Sequence, residues 1–122
     1  MPSLSRIHLV IACLFGAAGV ALQAAGTHLA SPQATTAGQF LLVHAPVLLA
    51  GTALRRQGLL RERAGALVLS LLAFGVALFA ANLARRGLAG ASLFPFAAPL
   101  GGGLMLAGWL ALAATAALPP RR

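Results

Sequence analysis

The chain has no lysine, no aspartate and no tyrosine, and only one acidic residue, Glu62. Of its 122 residues, 8% are charged, against about 25% in soluble domains. So little charge cannot cover a globule, which excludes an ordinary water-soluble enzyme. With Glu62 expected in a loop, no carboxylate is left to act as an acid or base within a membrane, which disfavours a proton-coupled pump of the acidic type. The single cysteine, Cys13, excludes an internal disulfide and any paired-cysteine metal framework. It lies inside an apolar stretch and reads as a small buried side chain. No glycine-rich phosphate loop is present. The glycines at 101–103 have no following Lys-Ser/Thr. The net charge of +8 sits in short arginine runs between apolar stretches rather than in a patch, which argues against nucleic-acid binding.

What is present is apolar sequence, 60% of the chain, in four stretches. They run over about 7–30, 36–54, 64–83 and 98–118. At about 1.5 Å per residue the first reaches roughly 36 Å and the second roughly 28 Å, against a hydrocarbon layer of about 30 Å. Membrane strands alternate in polarity and need a closed barrel, whereas these runs are continuous and alanine-rich. The fold expected is therefore all-α, a single membrane domain (1–122) forming a four-transmembrane-helix bundle. The first stretch is expected to be a span rather than a cleaved leader, because the apolar run continues to Ala30 with no polar segment after Ala24 and Ala25. Pro119 and Pro120 end the fourth stretch. The connection from Ala84 to Ala97 is expected to be irregular, broken by Gly87 and Gly90, with Leu93, Phe94 and Phe96 in the interface.

Orientation follows from arginine placement. Four spans put Arg6, Arg55, Arg56, Arg61, Arg63, Arg121 and Arg122 on one side, and only Arg85 and Arg86 on the other. The positive side faces the cytoplasm, so both termini are expected there. The arginines at 55–63 read as a topology anchor, with contact to an anionic lipid or a partner as the rival reading. Small residues suit close helix contact. Ala12 and Gly16 are expected on one face of the first helix, with Gly19 and Gly26 further along, Gly75 in the third helix, and Gly101–Gly103 and Gly108 in the fourth. Pro46 falls inside the second helix, and Trp109 is expected to pack between helices.

Polar residues inside a membrane are where function is most readable. Gln23, Thr27, His28, Gln39, His44, Ser70, Asn82 and Thr115 are the candidates. Of these, His28, Gln39, His44 and Asn82 fall at similar depth in the outer half and form the candidate intramembrane polar cluster. Three readings stand: hydrogen bonds that fix the bundle, a small polar site for a ligand, proton or quinone-like headgroup, and a metal or haem site using His28 and His44. The third lacks carboxylate ligands and a Cys-x-x-Cys-His attachment motif, so no metal and no cofactor is assigned. His8 lies at the opposite end and is expected at the interface.

Several segments are similar to a known family. Arg6-Ile7-His8-Leu9 opens the chain, Gly26 and His28 follow, then Gln39-Phe40 and His44-Ala45, and Pro99-Leu100-Gly101-Gly102 leads to Leu106-Ala107-Gly108-Trp109. In these the chain resembles the bacterial inner-membrane family of unknown function 423, related to eukaryotic transmembrane protein 256. Phe40 stands where the family often has tyrosine, and Ala98 where it commonly has threonine. The resemblance implies four transmembrane helices in a multi-pass protein of the bacterial cell inner membrane, and it carries no assigned activity, substrate or cofactor. The function expected is a non-catalytic accessory subunit or self-associating bundle, with the lipid bilayer, copies of itself or a larger membrane complex as partners. The alternative is a small transporter or ligand-binding protein with a polar site near His28 and His44.

Overall fold

The computed structural model describes residues 3–119. Pro120, Arg121 and Arg122, which carry part of the stop signal and two of the orienting arginines, lie outside the described residues. Four helices follow in order: α1 (Leu4–His28), α2 (Pro32–Arg56), α3 (Glu62–Ala89) and α4 (Ala97–Ala117). No strand occurs among the described residues. All four helices are long and apolar enough to cross a membrane.

Local signals explain the boundaries. Ser3 caps α1 by accepting from the Arg6 N–H. Ser31 caps α2 by accepting from the Ala34 N–H, and Pro32 supplies the fixed φ that suits a first helical position. That Ser-Pro pair starts α2 four residues before Thr36. Ala30, with φ 51°, turns the chain between α1 and α2. The third helix does not stop at Leu83. Arg85, Arg86 and Gly87 are helical, and Gly90 ends the helix with φ 72°. A glycine interrupts a helix only where its backbone leaves the helical region, and Gly87 does not. Glu62 is the first residue of α3 rather than a loop residue. The irregular connection thus shrinks to 90–96, with Leu93, Phe94 and Phe96 exposed.

The helices are not equal partners. α2 packs against α1 and α3, and α3 packs against α2 and α4, with a lighter contact to α1. In their most apolar windows, 44% of α2 and 50% of α3 is buried, against 22% of α1 and of α4. α2 and α3 are therefore the centre, and α1 and α4 are flanking helices with broad outward apolar faces.

Glycines set the interhelical distance. A Cβ on Gly38 of α2 would stand 2.8 Å from the Gly19 carbonyl oxygen of α1. A Cβ on Gly101 of α4 would stand 2.7 Å from the Phe79 backbone nitrogen of α3. These backbones approach as closely as small residues allow, which is how helices gain contact where no hydrophobic force separates them from lipid. The buried stripe of α1 is His8, Ala12, Gly19 and Gly26. Gly16 is not part of it and meets nothing within 4 Å. At 100° per residue, Gly16 is turned roughly 60° from Gly19 about the axis, off the stripe. Cys13 is exposed, so the expectation of a buried thiol is corrected: it points away from the bundle. Between the helices, one cluster joins Ala37, Leu41, Val76, Ala80 and Met105, and a second joins Ala12, Leu48, Leu69 and Ala73. Phe15 packs against both.

Candidate functional site

His44 sits on α2, and its ring is fully engaged. One ring nitrogen, Nδ1, is 2.7 Å from the Phe40 carbonyl oxygen, one turn back. A carbonyl only accepts, so Nδ1 carries the proton. The other, Nε2, is 3.1 Å from the indole Nε1 of Trp109 on α4. Indole only donates, so Nε2 accepts. The imidazole is thereby fixed as one neutral tautomer. Phe40 stacks beside it, 6.2 Å between centroids, and Phe79 of α3 meets Phe40 edge-on at 4.8 Å. This aromatic group is the meeting point of α2, α3 and α4. It is also where Trp109 reaches α2, although no backbone contact joins α2 and α4.

The other three residues of the expected cluster go elsewhere. His28 is exposed at the end of α1. Close approach of Gly19 to Gly38 and of Gly26 to Thr35 fixes the α1–α2 register, which puts His28 about level with Gln33. That is eleven residues of helix from His44, roughly 16 Å along the axis. Gln39 is exposed. It borders the same shallow groove as His44, but five residues of helix turn its side chain about 140° away. Asn82 is buried, 1% exposed, and its Oδ1 accepts from the Leu93 N–H at 2.8 Å. It anchors the α3–α4 connection to the end of the bundle. His44 and Asn82 are thus both interior, with separate partners, while His28 and Gln39 face outward.

A second polar network, at the opposite end, was not expected. His8 is 1% exposed, turned into the bundle at that end. Its Nε2 lies 2.9 Å from Ser70 Oγ, and that hydroxyl donates to the Ala66 carbonyl at 2.8 Å. The hydroxyl proton is therefore spent, and His8 Nε2–H donates to Ser70. His8 Nδ1 is left as an acceptor, and Arg55 Nη2 is 3.4 Å from it. Arg55 Nη2 also donates to Ser5 Oγ at 3.1 Å, and Nη1 donates to Glu62 Oε1 at 2.9 Å. The Arg55 side chain is fully buried, whereas that of Glu62 is 63% exposed. Arg55 Nε has no hydrogen-bond partner among the described residues. The chain's only acidic side chain, the one buried arginine among the described residues and a buried histidine thus form one network from α1, α2 and α3. Gly65 lets it form, since a Cβ there would press on Arg55 Cγ and Cδ at 2.9 Å. The sequence signal was the pair itself: a sole acidic residue seven positions after an arginine, across a turn marked by Gly58 (φ 81°).

Ser31 is a third joint. Its backbone N–H donates to the Gly26 carbonyl, and its hydroxyl donates to the Gly87 carbonyl at 3.1 Å, so it ties α1, α2 and α3 together at the far end. Thr52 and Thr115, by contrast, donate to carbonyls one turn back in their own helices.

The family described as "Protein of unknown function (DUF423)" matches residues 7–102, and the chain belongs to it. No curated protein and no solved structure matches the chain.

Proposed function

We propose that the protein is a non-catalytic, multi-pass component of the bacterial inner membrane, with both ends of the chain on the cytoplasmic side. In this reading it is a helical subunit that associates with copies of itself or with a larger membrane complex. Its interior polar side chains hold helices together: His44 links α2 to α4, Asn82 holds a connection, and Arg55 joins three helices. The orientation rests on Arg6, Arg55, Arg56, Arg61 and Arg63 at one end, against Arg85 and Arg86 at the other.

The observation that carries the reading is the outward face of α4. Its buried residues are Ala97, Gly101, Met105, Gly108 and Thr115, a single stripe. Off that stripe, Gly102 and Gly103 face open space, and Leu106 and Leu110 are exposed. A glycine directed at acyl chains offers no packing area and lowers helix propensity. Directed at another helix, it permits close backbone contact.

The test is the mass of the protein released from its own membrane in native lipid discs. A particle holding more than one copy, or a copy with a further protein, is expected. Replacing Gly102 and Gly103 by leucine is expected to release single copies that keep their helical content. If the unaltered protein is released as single copies without a partner, the reading fails.

A further inference from the structure

The turn between α2 and α3 encloses a cleft of about 510 Å³ at the arginine-rich end of the bundle. That volume lies within the roughly 300–1,000 Å³ of ligand clefts. It is lined by Arg55, Arg61, Glu62 and Arg63, with Gly58 and Leu60 of the turn and Ala64 of α3. Three arginines and one glutamate therefore border a single cleft. The carboxylate answers one of them, and with one oxygen: Glu62 Oε1 accepts from Arg55 Nη1. Arg61 Nε donates to the Pro119 carbonyl, which ties the cleft's rim to the end of α4.

Two further features add unanswered donors. Arg55 is fully buried in its side chain, yet its Nε has no acceptor among the described residues. The N-cap position of α3, Arg61, makes no side-chain cap bond, and the first N–H groups of a helix have no partner within it. Within α3 the Gly65 N–H donates to the Arg61 carbonyl, while the N–H groups of Gly58, Leu59 and Leu60 in the turn before it are already bonded to carbonyls at the end of α2. A cleft rich in guanidinium donors beside the positive end of a helix dipole suits an oxyanion. Its place at the end of four membrane-length helices puts it at the depth of lipid headgroups.

We propose that this cleft binds one phosphate group carrying net negative charge, held by Arg61, Arg63 and the start of α3 above the buried Arg55. Glu62 is the internal competitor. Its exposed carboxylate occupies Arg55 when the cleft is empty and weakens binding by like charge when it is filled. Phosphate of this kind can come from an anionic phospholipid or from solution, and the two sources are separable.

The experiment is native mass spectrometry of the full-length protein in detergent. Phosphatidylglycerol and phosphatidylcholine of matched chains are offered together, and inorganic phosphate is titrated in a second arm. One phosphatidylglycerol is expected to be retained with about ten-fold preference, the ratio a single charge-assisted contact provides. Neutralising Arg61 and Arg63 together (R61Q with R63Q) is expected to bring the preference to about two-fold or less. Arg56 is exposed at the same end but does not line the cleft, and R56Q is expected to leave the preference unchanged. Glu62→Gln is expected to raise it, an outcome that misfolding does not produce. Displacement of the lipid by millimolar inorganic phosphate, or binding of phosphate alone, assigns the site to phosphate from solution. Retention of the lipid against it assigns the site to a headgroup. Equal retention of both lipids with no phosphate bound overturns the proposal. So does a loss in R56Q equal to that in the double variant, which would mark diffuse charge rather than a site.

Discussion

His8 and His44 are both buried, and they are held in opposite neutral tautomers. His8 carries its proton on Nε2, because Ser70 Oγ has already given its own to Ala66. His44 carries its proton on Nδ1, because Phe40 offers a carbonyl and Trp109 offers an indole N–H. Nitrogen-15 spectra, in which His8→Gln and His44→Gln assign these two of the chain's three imidazoles, should show one of this pair in each tautomer. The same tautomer in both would break the donor accounting at one of the sites.

The bond between His44 and Trp109 should be measurable as a coupling. Hydrogen bonds between membrane helices average about 0.6 kcal/mol and reach about 1.7 kcal/mol. A double-mutant cycle with His44→Ala and Trp109→Phe, read by reversible unfolding in detergent, is expected to give a coupling in that range. Additive single effects would mean that α4 is held by its packing against α3, at Gly75–Gly101, Gly101–Phe79 and Gly108–Leu72, and not by the bond to His44.

Arg55 and Arg56 are neighbours with opposite fates. Arg55 is buried and donates to Glu62, Ser5 and His8, whereas Arg56 is exposed. Hydrogen bonds to charged groups contribute about 1.5–3 kcal/mol, and loss of Arg55 also leaves His8 Nδ1 without its donor. Arg55→Ala is therefore expected to lower unfolding free energy by about 2–3 kcal/mol. Arg56→Ala is expected to change it little. Equal effects would mean that charge at this end, rather than the network, is what matters.

Glycines in tight contact should differ sharply from those in open space. Gly38→Ala puts a methyl against the Gly19 backbone and is expected to cost about 1–3 kcal/mol through overpacking. Gly102→Ala meets nothing within 4 Å in a single copy and is expected to leave thermal stability unchanged or slightly raised, as helix propensity improves. A large loss from Gly102→Ala in a demonstrably single-copy sample would contradict the arrangement of α4.

The helices were legible in the sequence because continuous apolar length is a property of each segment alone. Their ends were less so. Gly87 and Gly90 look alike as letters, and only the backbone angle shows that Gly90 ends α3. The four polar residues of the cluster share a depth in the sequence but not a set of partners in the structure. His44 and Asn82 are interior, but depth in a membrane does not fix the direction a side chain faces. Helix rotation put Gln39 outside, and the α1–α2 register carried His28 away. The Arg55–Glu62–His8 network is not legible in the sequence because its members lie in three different helices, α2, α3 and α1. Burial of an arginine depends on what three helices leave open, here the space provided by Gly65. The glycine faces were read by type, so Gly19 and Gly16 could not be told apart until helix rotation was known.

That four helices cross the bilayer with the α2–α3 turn inside the cell is the claim on which the rest depends. It is tested most directly by cysteine accessibility, with Cys13→Ala as background and Gln57→Cys or Ser92→Cys introduced singly at exposed positions. In intact cells with a permeabilised outer membrane, an impermeant maleimide should label Ser92→Cys and spare Gln57→Cys until the inner membrane is opened. Labelling of Gln57→Cys in intact cells would contradict it.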